Sequence, residues 1–312
     1  MDRLRIRMGV QHGVLTTRDA AECGVDGHGL QLLCKRGRLT RLRTGCYVDS
    51  TLWAAAGVEE RLALRALAVY RTFGERWAVS HASALALYGL PLPDLGAVAH
   101  LSRRTPGPAR SRSGLVAHVP MPPEQLRRHR DAWCSQPGVA LVQAAGGLGL
   151  PGAVASADAA LHRGLVTSDE LTSALGAVRV GPGRPVAAAM AQLADGRSES
   201  AGESRCRVTF VLAGLPVPVV QAIISDGQTT ARVDFLFRQY SVIVEFDGAL
   251  KYDGANGRAA LVAEKRREDW LRSLGFEVVR ITWRDLDDPL RVRRLVLAAM
   301  ARASRRPTGV PA

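Results

Sequence analysis

Residues 232–237 read Arg232-Val-Asp-Phe-Leu-Phe, and residues 242–248 read Val242-Ile-Val-Glu-Phe-Asp-Gly. Both runs have the apolar, β-branched and aromatic composition of buried strands, yet they carry three carboxylates: Asp234, Glu245 and Asp247. An ionised carboxylate is costly to bury without a partner. A divalent cation is the simplest shared partner for three of them at strand ends, because hard cations prefer oxygen ligands. The two runs therefore predict a metal site on a sheet.

The surrounding segments predict the domain that carries this site. From residue 199 onward the pattern is helix, strand, strand, strand, helix, strand, helix, which is typical of an α/β domain with a central sheet. Glu203 lies on the first helix, and Gln221 opens the first strand. Glu245 and Asp247 are two residues apart and so share a strand face. A hairpin that aligns Asp234 with Glu245 would bring the carboxylates within reach of one ion.

Five motifs in the same segment carry a family resemblance. They are R-V-D-F, V-E-F-D-G, K-Y, E-K-R-R-E-D and V-V-R-I-T-W, in this order within residues 199–285. The segment resembles the PD-(D/E)XK nuclease superfamily, specifically its very-short-patch-repair-like branch. The resemblance implies a restriction-endonuclease-like α/β fold and hydrolysis of phosphodiester bonds with Mg²⁺ or Mn²⁺.

The resemblance also assigns roles to residues. Asp234 and Glu245 would hold the ion, Glu203 would join through water, and Gln221 would support the site. Asp247 occupies the position where the superfamily has a catalytic lysine, so the chain departs from the pattern there. Asp247 could be a further metal ligand. Alternatively, the positive charge of the missing lysine is supplied by one of two other lysines, Lys251 or Lys265.

A second interpretation of the same residues needs no metal. Asp234, Glu245 and Asp247 would instead be paired with nearby arginines, which would leave an inert scaffold. The arginines considered for this pairing are Arg232, Arg266 and Arg280. Under this interpretation the protein is a non-catalytic regulator with a degenerate nuclease domain.

The front of the chain predicts a DNA-binding unit. Residues 16–24 and 27–36 have the caps and spacing of two short helices, and residues 38–48 read as a β-hairpin. This arrangement is that of a winged helix-turn-helix. Residues 35–43, at the junction of the second helix and the hairpin, include five cations and no anion, a pattern suited to phosphate contact. The predicted DNA-binding residues are Lys35, Arg36, Arg38, Arg41 and Arg43. The alternative is a charged face that contacts only solvent.

A second resemblance covers about the first 180 residues. Its segments begin Gly13-Val-Leu-Thr-Thr, Gly37-Arg-Leu-Thr-Arg, Ser80-His-Ala-Ser-Ala and Ala157-Asp-Ala-Ala-Leu. They resemble AbiEi-type antitoxins of type IV toxin–antitoxin systems. The resemblance implies a winged unit that represses its own promoter and a nucleotidyltransferase toxin as partner.

Two single positions in this region bear on the resemblance. Members often have Asp where this chain has Gln143. His81 begins a helix capped by Ser80, and it is interpreted as a packing residue rather than a catalytic one, because no Ser or Cys nucleophile pairs with it at a familiar spacing.

The length, net charge and cysteine content of the chain limit these interpretations. The chain has 312 residues, a net charge of +13, and 42 Lys+Arg against 29 Asp+Glu. Such an excess of positive charge favours a polyanionic partner such as DNA. Nearly all the cations are arginines, however, and a GC-rich coding bias would also produce many arginines. The five cysteines are scattered, which argues against a disulfide framework and against a zinc site.

The domain division and the location follow from composition. We expect a winged helix-turn-helix over residues 1–56, a mostly helical middle domain over 57–180, a linker with a short helix over 181–198, and the nuclease-like domain over 199–312. The start lacks the apolar core of a signal peptide, and no run approaches about 18 uninterrupted apolar residues. A cytoplasmic protein without a membrane span is therefore predicted, and the oligomeric state stays open.

Overall fold

The computed structural model describes residues 2–94, 96, 98–179, 181–248 and 257–305. The chain divides into two compact units, Met1–Gln192 and Leu193–Ala312. The first unit contains a three-stranded and a five-stranded sheet, and the second contains a four-stranded sheet. The protein is therefore a mixed α/β protein of more than one domain, as the sequence predicted.

The beginning of the N-terminal unit combines short helices with a small sheet of strand order β1-β3-β2. The predicted pair of short helices and the hairpin are present. Thr16 and Asp19 form a capping box at the first of these helices, and Asp26 caps the second. The elements are α1 (Asp2–Val10), β1 (Val14–Thr16), α2 (Thr17–Glu22), α3 (Gly27–Lys35), β2 (Leu39–Arg43), β3 (Cys46–Asp49) and α4 (Ser50–Ala55).

The rest of the N-terminal unit surrounds a mixed five-stranded sheet of order β6-β5-β4-β8-β7. The elements are α5 (Val58–Phe73), β4 (Trp77–Val79), α6 (His81–Leu87), β5 (Ala99–Arg103), β6 (Leu115–His118), β7 (Leu126–His129), β8 (Ala132–Ser135), α7 (Pro137–His162), α8 (Ser168–Ala177) and α9 (Arg184–Leu193). The expectation of a mostly helical middle region missed this sheet. Its strands have only three to five residues, too few for an alternating pattern to stand out beside long alanine-rich helices.

The long helix α7 is the main core element of this unit. It bends at Gly149, whose φ of 67° is not helical, two residues before Pro151. By length and composition it could cross a membrane, but 61% of its most apolar window is buried inside the protein. Burial of this extent is that of a core helix.

The C-terminal unit follows the predicted order of elements. They are α10 (Ala201–Leu212), β9 (Val219–Ser225), β10 (Thr230–Phe237), β11 (Val242–Asp247), α11 (Gly257–Ser273), β12 (Glu277–Thr282), α12 (Trp283–Leu286) and α13 (Pro289–Ala303). The sheet has the order β12-β11-β10-β9, and only β11 and β12, which α11 connects, run parallel.

Helices cover both faces of this sheet. One apolar cluster joins α10 and α13 to residues such as Phe235, Val244 and Ile281. A second cluster, on the side of α11, contains Leu271, Val233 and other strand residues. Because both faces are covered, any polar side chain on the central strands lies at least partly out of water and needs a partner.

Candidate active site

The central strands bring Asp234 and Glu245 next to each other, as the sequence predicted. The antiparallel ladder of β10 and β11 pairs Phe235 with Val244, so the next positions along it are Asp234 and Glu245. Asp234 Oδ2 accepts a hydrogen bond of 2.8 Å from the backbone N–H of Phe246. This bond fixes the carboxylate at the end of the ladder.

Asp234 lies where the alternation of its strand is interrupted. Val233 belongs to the cluster on the α11 side, whereas Phe235, two residues later, belongs to the cluster under α10. On the neighbouring strand β9 the same level is occupied by Gln221, which has a φ of 52°. A left-handed backbone is strained for a non-glycine residue and is often found at functional sites. The interruption leaves Asp234 only partly buried, between the two helical layers.

Glu203 approaches this point from α10. Its carboxylate accepts three hydrogen bonds: 2.7 Å from Ser200 Oγ, 3.0 Å from the N–H of Glu199 and 2.8 Å from Gln221 Nε2. Gly202 makes the approach possible, because a Cβ at this position would collide with the ring of Phe246. The sequence interpretation of Glu203 and Gln221 as members of one site thus corresponds to a direct contact.

The burial and the charges around Asp234 act on its protonation. Burial raises the pKa of Asp234 to about 6, and the negative charges of Glu203 and Glu245 add to the rise. The hydrogen bond from Phe246 and the charge of Arg267 act in the opposite direction. A carboxylate with a raised pKa beside two others is a recognised sign of a functional site, because metal ions or protons are what such clusters bind.

Arg267, which the sequence analysis did not select, is the partner of Glu245. Its Nη2 donates to both carboxylate oxygens of Glu245, at 2.6 and 2.7 Å, and to Glu264 Oε1 at 3.1 Å. Burial opposes the charged form of Arg267, but the hydrogen bonds and charges of these two glutamates outweigh it and raise the pKa of the guanidinium. A signal for this contact was available. Arg267 and Glu264 stand four and seven residues before Leu271, which is buried under the sheet, and so share its helix face.

The arginines chosen in the metal-free interpretation have other main partners. Arg232 Nη2 lies 2.7 Å from Glu199 Oε2, and Arg266 is exposed. Arg280 donates to Glu264 at 2.8 Å and to Glu268 at 2.9 Å. Its Nη1 also lies 4.0 Å from Asp247 Oδ2.

The remaining predicted catalytic residues are located as follows. Asp247 follows Phe246 on β11, and Phe246 packs towards the α10 cluster, so the predicted alternation of Glu245, Phe246 and Asp247 is present. Lys265 is exposed on α11. The prediction for Lys251 lies outside the described residues.

Four of the five predicted DNA-binding cations are exposed. Lys35 and Arg36 end α3, Arg38 lies in the connection to the hairpin, and Arg41 is on β2. Arg43 differs, because the β2–β3 ladder shifts register between Arg41 and Arg43. The guanidinium of Arg43 lies 5.7 Å from the ring centroid of Phe73 and is partly buried.

One further cluster of chemically active side chains is present in the N-terminal unit. Within the described ranges, one group of histidine, cysteine, aspartate or glutamate residues has three ligand atoms within 4.8 Å of one another: His81, His100 and His118. The sequence gave His81 a packing role and did not connect it with the other two. No local motif could have done so, because the three residues lie on one helix and on two strands that were not predicted.

Fold and sites together define an α/β protein with an acidic site in its C-terminal sheet and a histidine cluster in its N-terminal unit. No family model matches the chain. Two proteins of Mycobacterium tuberculosis are similar to it: the uncharacterized protein MT2308 of strain CDC 1551 and the uncharacterized protein Rv2248 of strain H37Rv. Each is 30% identical over 275 residues, which cover 88% of this chain and 95% of the relative. The chain belongs to the family of these two proteins.

Proposed function

We propose that the protein binds DNA and that its C-terminal unit hydrolyses phosphodiester bonds with Mg²⁺ or Mn²⁺, as the PD-(D/E)XK nucleases that it resembles do. One observation carries the proposal. Asp234 experiences the charges of two carboxylates from two other elements, Glu203 and Glu245, against one arginine. A divalent cation would supply the positive charge that this half-buried group favours.

The side chains are of the kind that holds such an ion, but in the described part of the chain no three carboxylates have ligand atoms within 4.8 Å of one another, so these side chains would have to move to surround it. Asp234 and Glu245 would hold it through carboxylate oxygens, which are the ligands that Mg²⁺ prefers. Glu203 would act through water, since protein groups already hydrogen-bond to its carboxylate. When bound, the ion would polarise the scissile phosphate and lower the pKa of a water molecule.

The residues of the chain itself would orient this site. The N–H of Phe246 holds the Asp234 carboxylate, Gln221 holds that of Glu203, and Arg267 holds that of Glu245. Arg267 also brings a permanent positive charge next to Glu245, whereas Asp247, where the family pattern has a lysine, brings none. We infer that Arg267, together with Lys251 or Lys265, stabilises the negative charge that develops on the phosphate.

The N-terminal unit would supply the DNA affinity. Its two short helices and hairpin support a winged helix-turn-helix, with α3 entering a groove and β2 and β3 forming the wing. Lys35, Arg36, Arg38 and Arg41 would contact phosphates, because their side chains are exposed on the helix end and the wing. Arg43 would stabilise the wing by packing its guanidinium against the ring of Phe73.

A second function is favoured by a different observation. Both oxygens of Glu245 already accept hydrogen bonds from Arg267, as expected if the charge is satisfied without a metal. The protein would then be a non-catalytic repressor, an antitoxin-like regulator whose partner is a nucleotidyltransferase toxin. A reading frame for such a toxin beside the gene would support this alternative.

A nicking assay separates the two functions. Purified protein is incubated with supercoiled plasmid and either Mg²⁺ or chelator. We expect nicking only with the cation, and a loss of at least about 100-fold in Asp234→Asn and in Glu245→Gln, because each removes a ligand charge. Asp269→Asn, an exposed change on α11, should retain full activity. If wild type and all variants leave the plasmid intact while still shifting DNA in a gel, the repressor function is the correct one.

A further inference from the structure

The cluster of His81, His100 and His118, here called the histidine site, is built from three elements. His81 begins α6, His100 lies on β5, and His118 ends β6. His100 Nδ1 lies 3.0 Å from His118 Nε2, and the ring of His81 stacks on that of His118 with centroids 3.6 Å apart. The parallel register of β5 and β6 pairs Ser102 with His118, which places His100 two residues away on the same strand face.

The environment keeps these imidazoles neutral. Burial, with the neighbouring charges of His118 and His100, lowers the pKa of His81 to about 2. Burial and the charge of His100 lower the pKa of His118 to about 4, and burial lowers the pKa of His100 as well.

Buried hydroxyl groups contact the ring of His81 and the backbone of His100. Ser80 Oγ lies 3.1 Å from His81 Nδ1 and accepts a hydrogen bond of 2.9 Å from Ser102 Oγ. With Nδ1 of His81 engaged in this way, Nε2 is the nitrogen left to act as ligand. Metal-binding histidines are usually oriented by such a bond to the other ring nitrogen. Ser83 Oγ supports the same region by accepting from the N–H of His100.

His81 is also held in an unusual backbone conformation. Its φ is 52°, a left-handed value that is strained for a residue with a side chain. Its N–H donates to Gln143 Oε1 at 3.3 Å, and Gln143 Oε1 accepts a further bond of 2.9 Å from Ser135 Oγ. His81 and Gln143 line a cavity of about 430 Å³ together with Arg179. Of the three histidines, His81 is the one that lines this cavity.

We propose that His81, His100 and His118 bind one transition-metal ion of the borderline class, with Zn²⁺ as the representative. Two nitrogens on a tetrahedral Zn²⁺ are about 3.4 Å apart when each bond is about 2.05 Å, close to the 3.0 Å between His100 and His118. The ring of His81 has to rotate away from its stacked position on His118 to bind the same ion, because the nitrogen lone pairs of two stacked rings point in parallel directions and do not converge on one point. Imidazole nitrogens select Zn²⁺, Co²⁺, Ni²⁺ or Cu²⁺ over Mg²⁺, Ca²⁺ and Mn²⁺.

Three protein ligands would leave a coordination position open, which distinguishes catalytic from structural zinc sites. The site is independent of the acidic site in the C-terminal unit, whose donors are all carboxylates. The scattered cysteines argued against zinc, but that argument did not consider histidines brought together by a sheet.

The test uses untagged full-length protein treated with chelator and then dialysed. Isothermal titration with Zn²⁺ should show one equivalent bound with submicromolar affinity. His100→Gln and His118→Gln should each weaken binding by at least about 100-fold, since each removes one ligand. His28→Gln, an exposed change on α3, should bind Zn²⁺ as wild type does. Equal Zn²⁺ affinity in wild type and both cluster variants, or no uptake by wild type, would overturn the proposal.

A spectroscopic measurement on wild type alone guards against misfolded variants. Co²⁺ replaces Zn²⁺ in such sites, and its visible bands should report a low-coordinate ion with nitrogen ligands. Zinc X-ray absorption of the wild-type complex should likewise require three imidazoles. Fewer than three imidazoles in the fit, or Co²⁺ bands of the hydrated octahedral ion, would contradict the histidine site.

Discussion

The acidic site of the C-terminal unit and the histidine site of the N-terminal unit both bury side chains that can carry a charge, and they deal with this charge in opposite ways. Each draws titratable side chains from three elements, and each includes a non-glycine residue with a φ of 52°, Gln221 in one and His81 in the other. In the acidic site the charges remain and an arginine compensates part of them. In the histidine site burial removes the charge altogether.

The difference teaches which ions each site can accept. The carboxylates of Asp234 and Glu245 offer hard, charged oxygens suited to Mg²⁺, whereas neutral imidazoles offer nitrogen suited to Zn²⁺. A chain with both would bind two classes of metal in two separate units.

The largest effect is expected for Arg267→Ala. This change leaves Glu245 buried without its main cation, so we expect a loss of about 3 kcal/mol in the unfolding free energy of the C-terminal unit. Urea denaturation followed by hydrogen exchange of β10 and β11 measures it. Arg272→Ala, which breaks a surface pair with Glu268, should cost less than about 1 kcal/mol. Equal losses for the two variants would show that Arg267 does not hold the acidic site.

Acidification should change the stability of the two units in opposite directions. The folded-state pKa values of His81 and His118 are depressed, so stability of the N-terminal unit is present above pH 6.5 and is lost as pH falls towards about 4. The folded-state pKa of Asp234 is raised to about 6. Its contribution to stability is therefore present below pH 3.8 and is lost as pH rises through about 6.

Hydrogen exchange of the full chain at pH 7.5 and 5.5, corrected for intrinsic rates, separates these contributions. Each group should contribute on the order of 1 kcal/mol over this interval. When the pH falls from 7.5 to 5.5, wild type should lose protection from exchange in β5 and β6, and His118→Gln should reduce this loss. Wild type should gain protection in β10 and β11 over the same change, and Asp234→Asn should remove this gain. Unchanged pH profiles in both variants would mean that these groups do not titrate as described.

DNA affinity should depend on the N-terminal unit and be independent of the acidic site. Arg41→Ala should weaken DNA binding by about 3- to 10-fold and reduce the salt slope by about 1, because it removes one phosphate contact. Arg43→Ala should mainly lower stability, since that guanidinium packs over Phe73. Fluorescence anisotropy across a salt series measures both. An affinity loss for Arg43→Ala larger than for Arg41→Ala would reverse these roles.

The smallest effect concerns two helix caps, one in each unit. Thr16→Ala and Ser200→Ala should each cost about 1 kcal/mol, because each removes a hydroxyl that accepts from a helix N–H. Ser200 Oγ also donates to Glu203, so only Ser200→Ala should weaken binding of Mg²⁺ as well, by several-fold. Calorimetry of both variants tests this, and an equal response to Mg²⁺ would remove Glu203 from the acidic site.

The strands that carry Asp234 and Glu245 were predictable because their pattern is local in sequence. Apolar strands interrupted by Asp234 and Glu245 are visible without a structure, and the order of elements from residue 199 follows from periodicity. Arg267 was missed because Arg266, its neighbour on the same helix, was considered as the partner instead. The packing of Leu271 decides which face of that helix meets the sheet.

The histidine site was not predictable for the opposite reason. His81, His100 and His118 are joined by strands of four or five residues and by pairing between β5 and β6, which no local pattern reveals. Tertiary pairing, rather than propensity, determines such short strands. The left-handed conformations of His81 and Gln221 were equally hidden, because the surrounding structure imposes them.

The most direct test of the central claim is calorimetric titration of the full-length protein with Mg²⁺ at pH 7.5, for wild type, Asp234→Asn and Asp269→Asn. Mg²⁺ is chosen because imidazoles do not compete for it. The account predicts saturable uptake by wild type and by Asp269→Asn, and none by Asp234→Asn. Absence of uptake by wild type, or equal uptake by Asp234→Asn, would contradict it.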